Sequence, residues 1–124
     1  YLTDKDYAQA ESYFRSLAAS NEPALVAAGH AGEGEAIFLQ AIAENRPNDL
    51  RRAQMALAKA SVLDAAGGEA SAKANYYLGR CLLALGPDRE GERFKQRAQA
   101  YFEIVYKSYP STRWAGLAKV ESQQ

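Results

Sequence analysis

The stretch from Asn75 to Pro110 constrains the fold of this 124-residue chain more than any other. It places Gly79 in the middle of one helical pattern and Ala98, Phe102 and Val105 along a second, which a proline ends. Gly79 and Ala98 carry little or no side chain, so two helix backbones can approach closely where they cross. Phe102 and Val105 fill the space that remains. The spacing therefore predicts a pair of closely packed helices.

Helical patterns cover almost the whole chain. The predicted helices are Leu2–Ala19, Pro23–Glu44, Leu50–Ala66, Glu69–Leu85, Asp88–Tyr109, and a last segment that Ser111 caps. Frequent alanine and scarce valine and isoleucine favour helices over strands. Because each helical glycine costs about 1 kcal/mol relative to alanine, Gly32 and Gly34 predict either a tightly packed helix or a break. The stretch from Asn45 to Asp49 predicts a turn.

Three kinds of marker recur with a period in the mid-forties. Small residues that begin a small-x3-large-x2-apolar spacing recur at Ala10, Ala53 and Ala98. Helix starts recur at Pro23 and Ala70, and mid-helix glycines at Gly32 and Gly79, 47 residues apart in each case. A fixed period of this length is typical of a solenoid built from repeated helix pairs.

These motifs resemble the tetratricopeptide repeat. The resemblance rests on the Leu78-Gly79 pair, the Ala98-x3-Phe102-x2-Val105 spacing and the closing Pro110. With the Trp114-x2-Leu117-Ala118 segment that follows, the chain looks like the repeats of bacterial cell-envelope lipoproteins and assembly factors. The resemblance implies one all-α domain over residues 1–124, a right-handed α-solenoid of six to seven helices in antiparallel pairs. It also implies a fragment of a longer protein, with a periplasmic or cell-envelope location favoured over the cytoplasm.

In that family the first helix of each pair lines a concave groove that binds a peptide or protein. With Gly79 as the marker, the groove positions of this chain are Lys73, Tyr76, Tyr77, Arg80 and Leu83. A shift of 47 residues adds His30, Glu33 and Ile37. Tyrosine and arginine are frequent binding anchors. The alternative is that Tyr76 or Tyr77 packs between repeats and that Arg80 is a solvated charge.

Composition and charge argue against several other classes of function. A formal net charge of zero with a pI near 6.8 gives no electrostatic reason to bind nucleic acid or an anionic membrane. No apolar run approaches the roughly 18 residues that a membrane span needs.

The side chains that could carry chemistry are also sparse. His30 and Glu33 share a helical face, but the chain has no second histidine, so we predict no metal site. Cys81 has no histidine nearby in the sequence and is predicted to be a small buried hydrophobic residue. Because no nucleophile and base pair is evident, we predict no enzyme activity and no cofactor.

The sequence thus predicts a non-catalytic scaffold that binds a peptide or protein partner in a groove. The alternative is a structural segment of a longer solenoid. Such a segment would self-associate as a homo-oligomer, or pack on neighbouring repeats, through its terminal helices.

Overall fold

The computed structural model describes residues 4–19, 22–63, 68–85 and 92–122, and these residues form six helices. The helices are α1 Asp4–Ala18, α2 Pro23–Ala43, α3 Pro47–Leu63, α4 Glu69–Leu85, α5 Glu92–Ser108 and α6 Arg113–Ser122. The predicted all-α class is confirmed, and the bounds of α4 are those that the sequence predicts. The predicted helix starts at Leu2 and Asp88 and the end at Ala66 lie outside the described residues.

The turn between α2 and α3 is built around Asn45, which has a φ of 53°. Asparagine tolerates this left-handed conformation better than most residues, and it often ends helices in this way. The Arg46 amide donates to the Ala41 carbonyl at 2.8 Å, which satisfies one of the last carbonyls of α2. The predicted start of the next helix at Leu50 is late, because Pro47 already occupies its first position.

The turn between α5 and α6 contains Pro110, and α5 ends just before it, as the sequence predicts. Thr112, rather than the predicted Ser111, directly precedes α6. Its hydroxyl donates to the Tyr109 carbonyl at 2.8 Å, and its own carbonyl accepts from the Ala115 amide at 3.2 Å. The predicted cap is therefore wrong by one residue.

Successive helices pack against each other in the order of the chain, as in a helical-repeat arrangement. In addition, α2 packs against α4, and α4 against α6. Among the described residues, the backbones of α1 and α3, or of α3 and α5, do not make comparable contacts. The even-numbered helices therefore form one continuous layer, and the odd-numbered helices cover it from outside.

Glycines set how closely the two layers approach. A Cβ atom added at Gly79 would lie 2.7 Å from the Phe102 ring, and one added at Gly34 would lie 2.5 Å from Leu57 Cγ. Both separations are too short for a real side chain, so both helix crossings require glycine. The helix α2 runs unbroken through its glycines, which confirms the tightly packed alternative over a break.

These two crossings are related by one sequence spacing. Gly34 and Gly79 meet equivalent partners on the following helix, Leu57 and Phe102, and each pair of equivalents is 45 residues apart. The predicted 47-residue spacing pairs Gly79 with Gly32, which instead packs against Phe14 of the preceding helix. The 47-residue shift of the glycines is therefore wrong by two residues.

The core lies where the two layers meet. Its largest fully buried side chains are Phe38, Leu57, Phe102, Val105 and Cys81. Leu57 and Phe102 occupy the large position of the small-x3-large-x2-apolar spacing, and Val105 occupies its apolar position. Cys81 is buried as predicted. None of the described helices combines the length and hydropathy needed to cross a membrane.

The Gly79 crossing makes a direct prediction. Gly79→Val should lower the free energy of unfolding by about 2 to 3 kcal/mol, because the new side chain must displace the fully buried Phe102 ring. Gly116→Val is the matched control, since a Cβ there meets nothing within 4 Å, and it should change stability by less than about 0.5 kcal/mol. Urea denaturation followed by circular dichroism measures both. Equal losses would contradict the assigned crossing.

Candidate functional site

Arg80 lies on the surface of the even-helix layer, above a platform of aromatic rings. Its guanidinium carbon is 4.9 Å from the centroid of Phe38 and 5.7 and 5.8 Å from those of Tyr77 and Tyr76. A guanidinium over the faces of aromatic rings is attracted by their quadrupoles. The rings therefore hold the side chain in place while it stays partly exposed to solvent.

Beside Arg80 is an open depression of about 280 Å³, which we name the Arg80 cleft. Its lining residues come from three helices of the layer and are Phe38, Ile42, Arg80, Leu83, Ala84 and Glu121. Ile42 and Ala84 are exposed, so apolar surface faces solvent next to the cation. None of the ion pairs among the described residues includes Arg80, although Glu121 lines the same cleft.

Below the cleft, one carboxylate joins α2 to α4. Glu35 accepts a hydrogen bond from the Tyr77 hydroxyl at 2.7 Å and pairs with Lys73 Nζ at 2.6 Å. The Lys73 ammonium also lies 5.7 Å from the Phe14 ring and 5.8 Å from the Trp114 ring. Lys73 thus touches α1, α2 and α6 from its own position on α4, and we call this arrangement the Lys73 hub.

Trp114 attaches α6 to the same region. Its indole Nε1 donates to Glu69 at 2.9 Å, and its ring lies 5.5 and 5.6 Å from the rings of Tyr76 and Tyr77. Trp114 is only 3% exposed, so it packs between helices. Since Trp114 is the single tryptophan of the chain, tryptophan fluorescence reports only on the surroundings of this ring.

Burial shapes the titration of the side chains here. Loss of hydration raises the pKa of Tyr77, and its hydrogen bond to the Glu35 carboxylate raises it further. Burial also raises the pKa of Tyr76, which the nearby Arg80 partly offsets. Both hydroxyls therefore stay protonated at neutral pH, so Tyr77 can serve as a stable donor to Glu35. Burial raises the pKa of the Cys81 thiol to about 12, which disfavours a reactive thiolate.

The structure divides the predicted groove residues into two groups. One group lies together in or beneath the Arg80 cleft and comprises Lys73, Tyr76, Tyr77, Arg80 and Leu83. Tyr76 and Tyr77 are 4% and 6% exposed, and they lie beneath the surface as packing residues. Arg80 and Leu83 line the cleft itself.

The second group does not join the first. Glu33 and Ile37 face a separate depression between α1 and α3, which Arg15 and Arg52 border, and we name it the α1–α3 furrow. His30 lies near it, with Nδ1 3.8 Å from Glu33. The two groups separate because the spacing of equivalent residues in α2 and α4 is 45, not the predicted 47. With a spacing of 45, the equivalents of Tyr77 and Arg80 are Gly32 and Glu35, not His30 and Glu33.

Several residues of the site are not among the predicted groove positions. Glu35 and Phe38 are the 45-residue equivalents of Arg80 and Leu83, and both contact the predicted residues of α4. Ala53 and Ala98 are also 45 residues apart, so this spacing, applied to α4, would have predicted Glu35 and Phe38. Glu121 and Ile42 gave no comparable signal, because only the packing of α2, α4 and α6 brings them to one place.

The described residues offer no evident metal centre. His30 and Glu33 approach each other, but no group of three histidine, cysteine or carboxylate side chains in the described ranges could hold a metal ion. Comparison with known proteins gave no match to a family model, a curated protein or a solved structure.

The Lys73 hub predicts that one carboxylate matters more than a similar one on the surface. Glu35→Gln should destabilise the fold by about 1 to 3 kcal/mol, because it removes the charge that pairs with the mostly buried Lys73. The matched control is Glu103→Gln in the exposed Glu103–Lys107 pair, where little or no loss of stability is expected because solvent screens both charges. Thermal unfolding measures both variants. A larger loss at Glu103 would show that the hub does not stabilise the layer.

Proposed function

We propose that this domain is a non-catalytic interaction module that binds a peptide or protein segment along its even-helix layer, at the Arg80 cleft. One observation carries the proposal. The Arg80 guanidinium is held over three aromatic rings beside exposed apolar surface, and no carboxylate among the described residues pairs with it. Its remaining N–H donors are therefore available to an acceptor on a partner.

The arrangement suits binding for an energetic reason. Ordering a free arginine side chain on association costs conformational entropy, but the ring platform already restricts Arg80 before a partner arrives. The exposed Ile42 and the neighbouring Leu83 offer contact area for one apolar side chain. The best-suited partner is thus a segment that carries an apolar side chain next to a carboxylate or a free carbonyl.

The Lys73 hub contributes rigidity rather than direct contact. Its ammonium and the Glu35 carboxylate are each only about one-fifth exposed, and each already has a partner. By joining the helices that line the cleft, these contacts hold its walls in place. A solenoid-like, tetratricopeptide-type groove and a cell-envelope location are part of the proposal, and both follow from the resemblance of the repeat motifs.

Selection from a random peptide display library against the immobilised domain tests this function. Selected peptides should quench or shift Trp114 fluorescence, because that ring contacts the residues beneath the cleft. Arg80→Glu should weaken their binding about tenfold or more, as expected for a central anchor. Lys119→Glu is the control, since it reverses an exposed charge of α6 that does not line the cleft. If selected peptides bind both variants equally well, the cleft is not the site.

A second candidate function is the structural role, in which the terminal helices pack on another copy or on neighbouring repeats. The observation in its favour is exposed apolar surface on α6, where Leu117 and Val120 are 43% and 55% exposed. Trp114 is unsuitable as a probe of this role, because it is buried and its replacement would damage the core.

For this role, Leu117→Glu combined with Val120→Glu should convert an oligomer into a monomer without loss of helix content. Sedimentation velocity over a range of protein concentrations measures the change. Arg80→Glu should leave the oligomer intact, which separates the two candidates. If the wild-type chain stays monomeric at high concentration, self-association through α6 is excluded.

A further inference from the structure

We propose that the α1–α3 furrow is a second, independent docking site, and that it accepts an acidic amphipathic helix of a partner protein. The furrow exists because α1 and α3 both pack on α2 while their own backbones stay apart. This leaves an open depression of about 230 Å³ between them, with Ile37 and Ala56 in its lining. It lies outside the Arg80 cleft and shares no lining residue with it.

In the furrow the carboxylates are mostly buried and the cations are exposed. Glu11 accepts hydrogen bonds from Arg15 and Arg52, each at 2.7 Å, and Glu33 accepts one from Arg15 at 3.3 Å. Both carboxylates are 15% exposed, whereas the two arginine side chains are 63% and 52% exposed. The acids are therefore covered by their own arginines, and the surface offered to a partner is positive.

Further cationic and apolar groups extend this surface along α3. Lys59 lines the furrow, is exposed, and belongs to none of the ion pairs among the described residues. Met55 is 65% exposed and lies between Arg52 and Lys59 on the same helix face, at three- and four-residue spacing. A methionine is flexible and adapts its shape to an incoming apolar side chain.

Charge and spacing together select the partner. Arg52 also contacts Asp49 at 3.6 Å, so the formal charges of the three cations and of the carboxylates that they face balance. The cations are the more exposed groups, since the carboxylates are 15% to 27% exposed and the two arginines 52% and 63%, so a partner meets positive charge first. Guanidinium groups retain unused N–H donors that match carboxylates well. Because the cations and Met55 follow the direction of two helices, a third helix with glutamates and an apolar residue on one stripe would meet all of them.

The test uses a labelled, amide-capped helical peptide whose glutamates and leucines share one stripe at three- and four-residue spacing. A second peptide of the same composition has these residues scattered around the helix. Fluorescence anisotropy should show binding of the striped peptide only, with affinity falling as salt is raised. Equal binding of the two peptides, or no binding of either, would overturn the proposal.

Variants of the chain locate the binding surface. Met55→Glu combined with Lys59→Glu should weaken binding of the striped peptide about tenfold or more, because both side chains are exposed and both changes add negative charge. The matched control is Val120→Glu combined with Lys119→Glu, which makes the same change of charge on exposed positions of α6 and should leave binding unaltered.

Two further measurements make the result decisive. Arg80→Glu should leave binding of the striped peptide unchanged, and a loss there would place the peptide in the Arg80 cleft and overturn the furrow site. Vesicles that contain phosphatidylserine should not compete with the peptide. Binding of the vesicles in a manner that depends on Lys59 and Met55 would mean that the furrow recognises anionic lipid instead, which would also overturn the proposal.

Discussion

The structure depends first on close helix crossings at glycine. At Gly34 and Gly79 the backbone of an even-numbered helix meets a large side chain of the following helix, Leu57 or Phe102, with no room for a Cβ between them. Such a crossing allows one depth of approach and one register, because a shift by a single residue would put a side chain into the gap. The two crossings are 45 residues apart, and the same spacing relates Glu35 and Phe38 of α2 to Arg80 and Leu83 of α4.

Given this register, α2 and α4 face each other through Glu35, Lys73 and Tyr77. Partly buried charges are costly unless each has a partner, and here one carboxylate satisfies an ammonium and a hydroxyl together. The Trp114 ring adds α6 to the same contact set. A polar centre of this kind tolerates fewer alternative packings than aliphatic side chains alone, so it favours one relative placement of the three helices.

The two depressions differ because their cations are held differently. Arg80 rests on aromatic faces, which restrict its position without neutralising its charge. Arg15 and Arg52 rest on carboxylates, which neutralise part of the charge but leave the guanidinium edges towards solvent. The helix α2 separates these regions, since it contacts α1, α3 and α4 at once. That central position explains why its sequence is apolar on most sides and lacks a clear helical period.

The sequence by itself determined the helices, their order and part of the core, including Phe102, Val105 and Cys81, because helix propensity, glycine and proline positions and the small-x3-large-x2-apolar spacing are local properties. The resemblance also placed Arg80 and Leu83 among the predicted groove positions, and both line the Arg80 cleft. Only the tertiary structure decided that Gly34, not Gly32, is the equivalent of Gly79, and hence that Glu33 and Ile37 face the α1–α3 furrow. Two glycines of one helix look alike in a sequence. Which of them meets the next helix depends on packing between residues far apart in the chain.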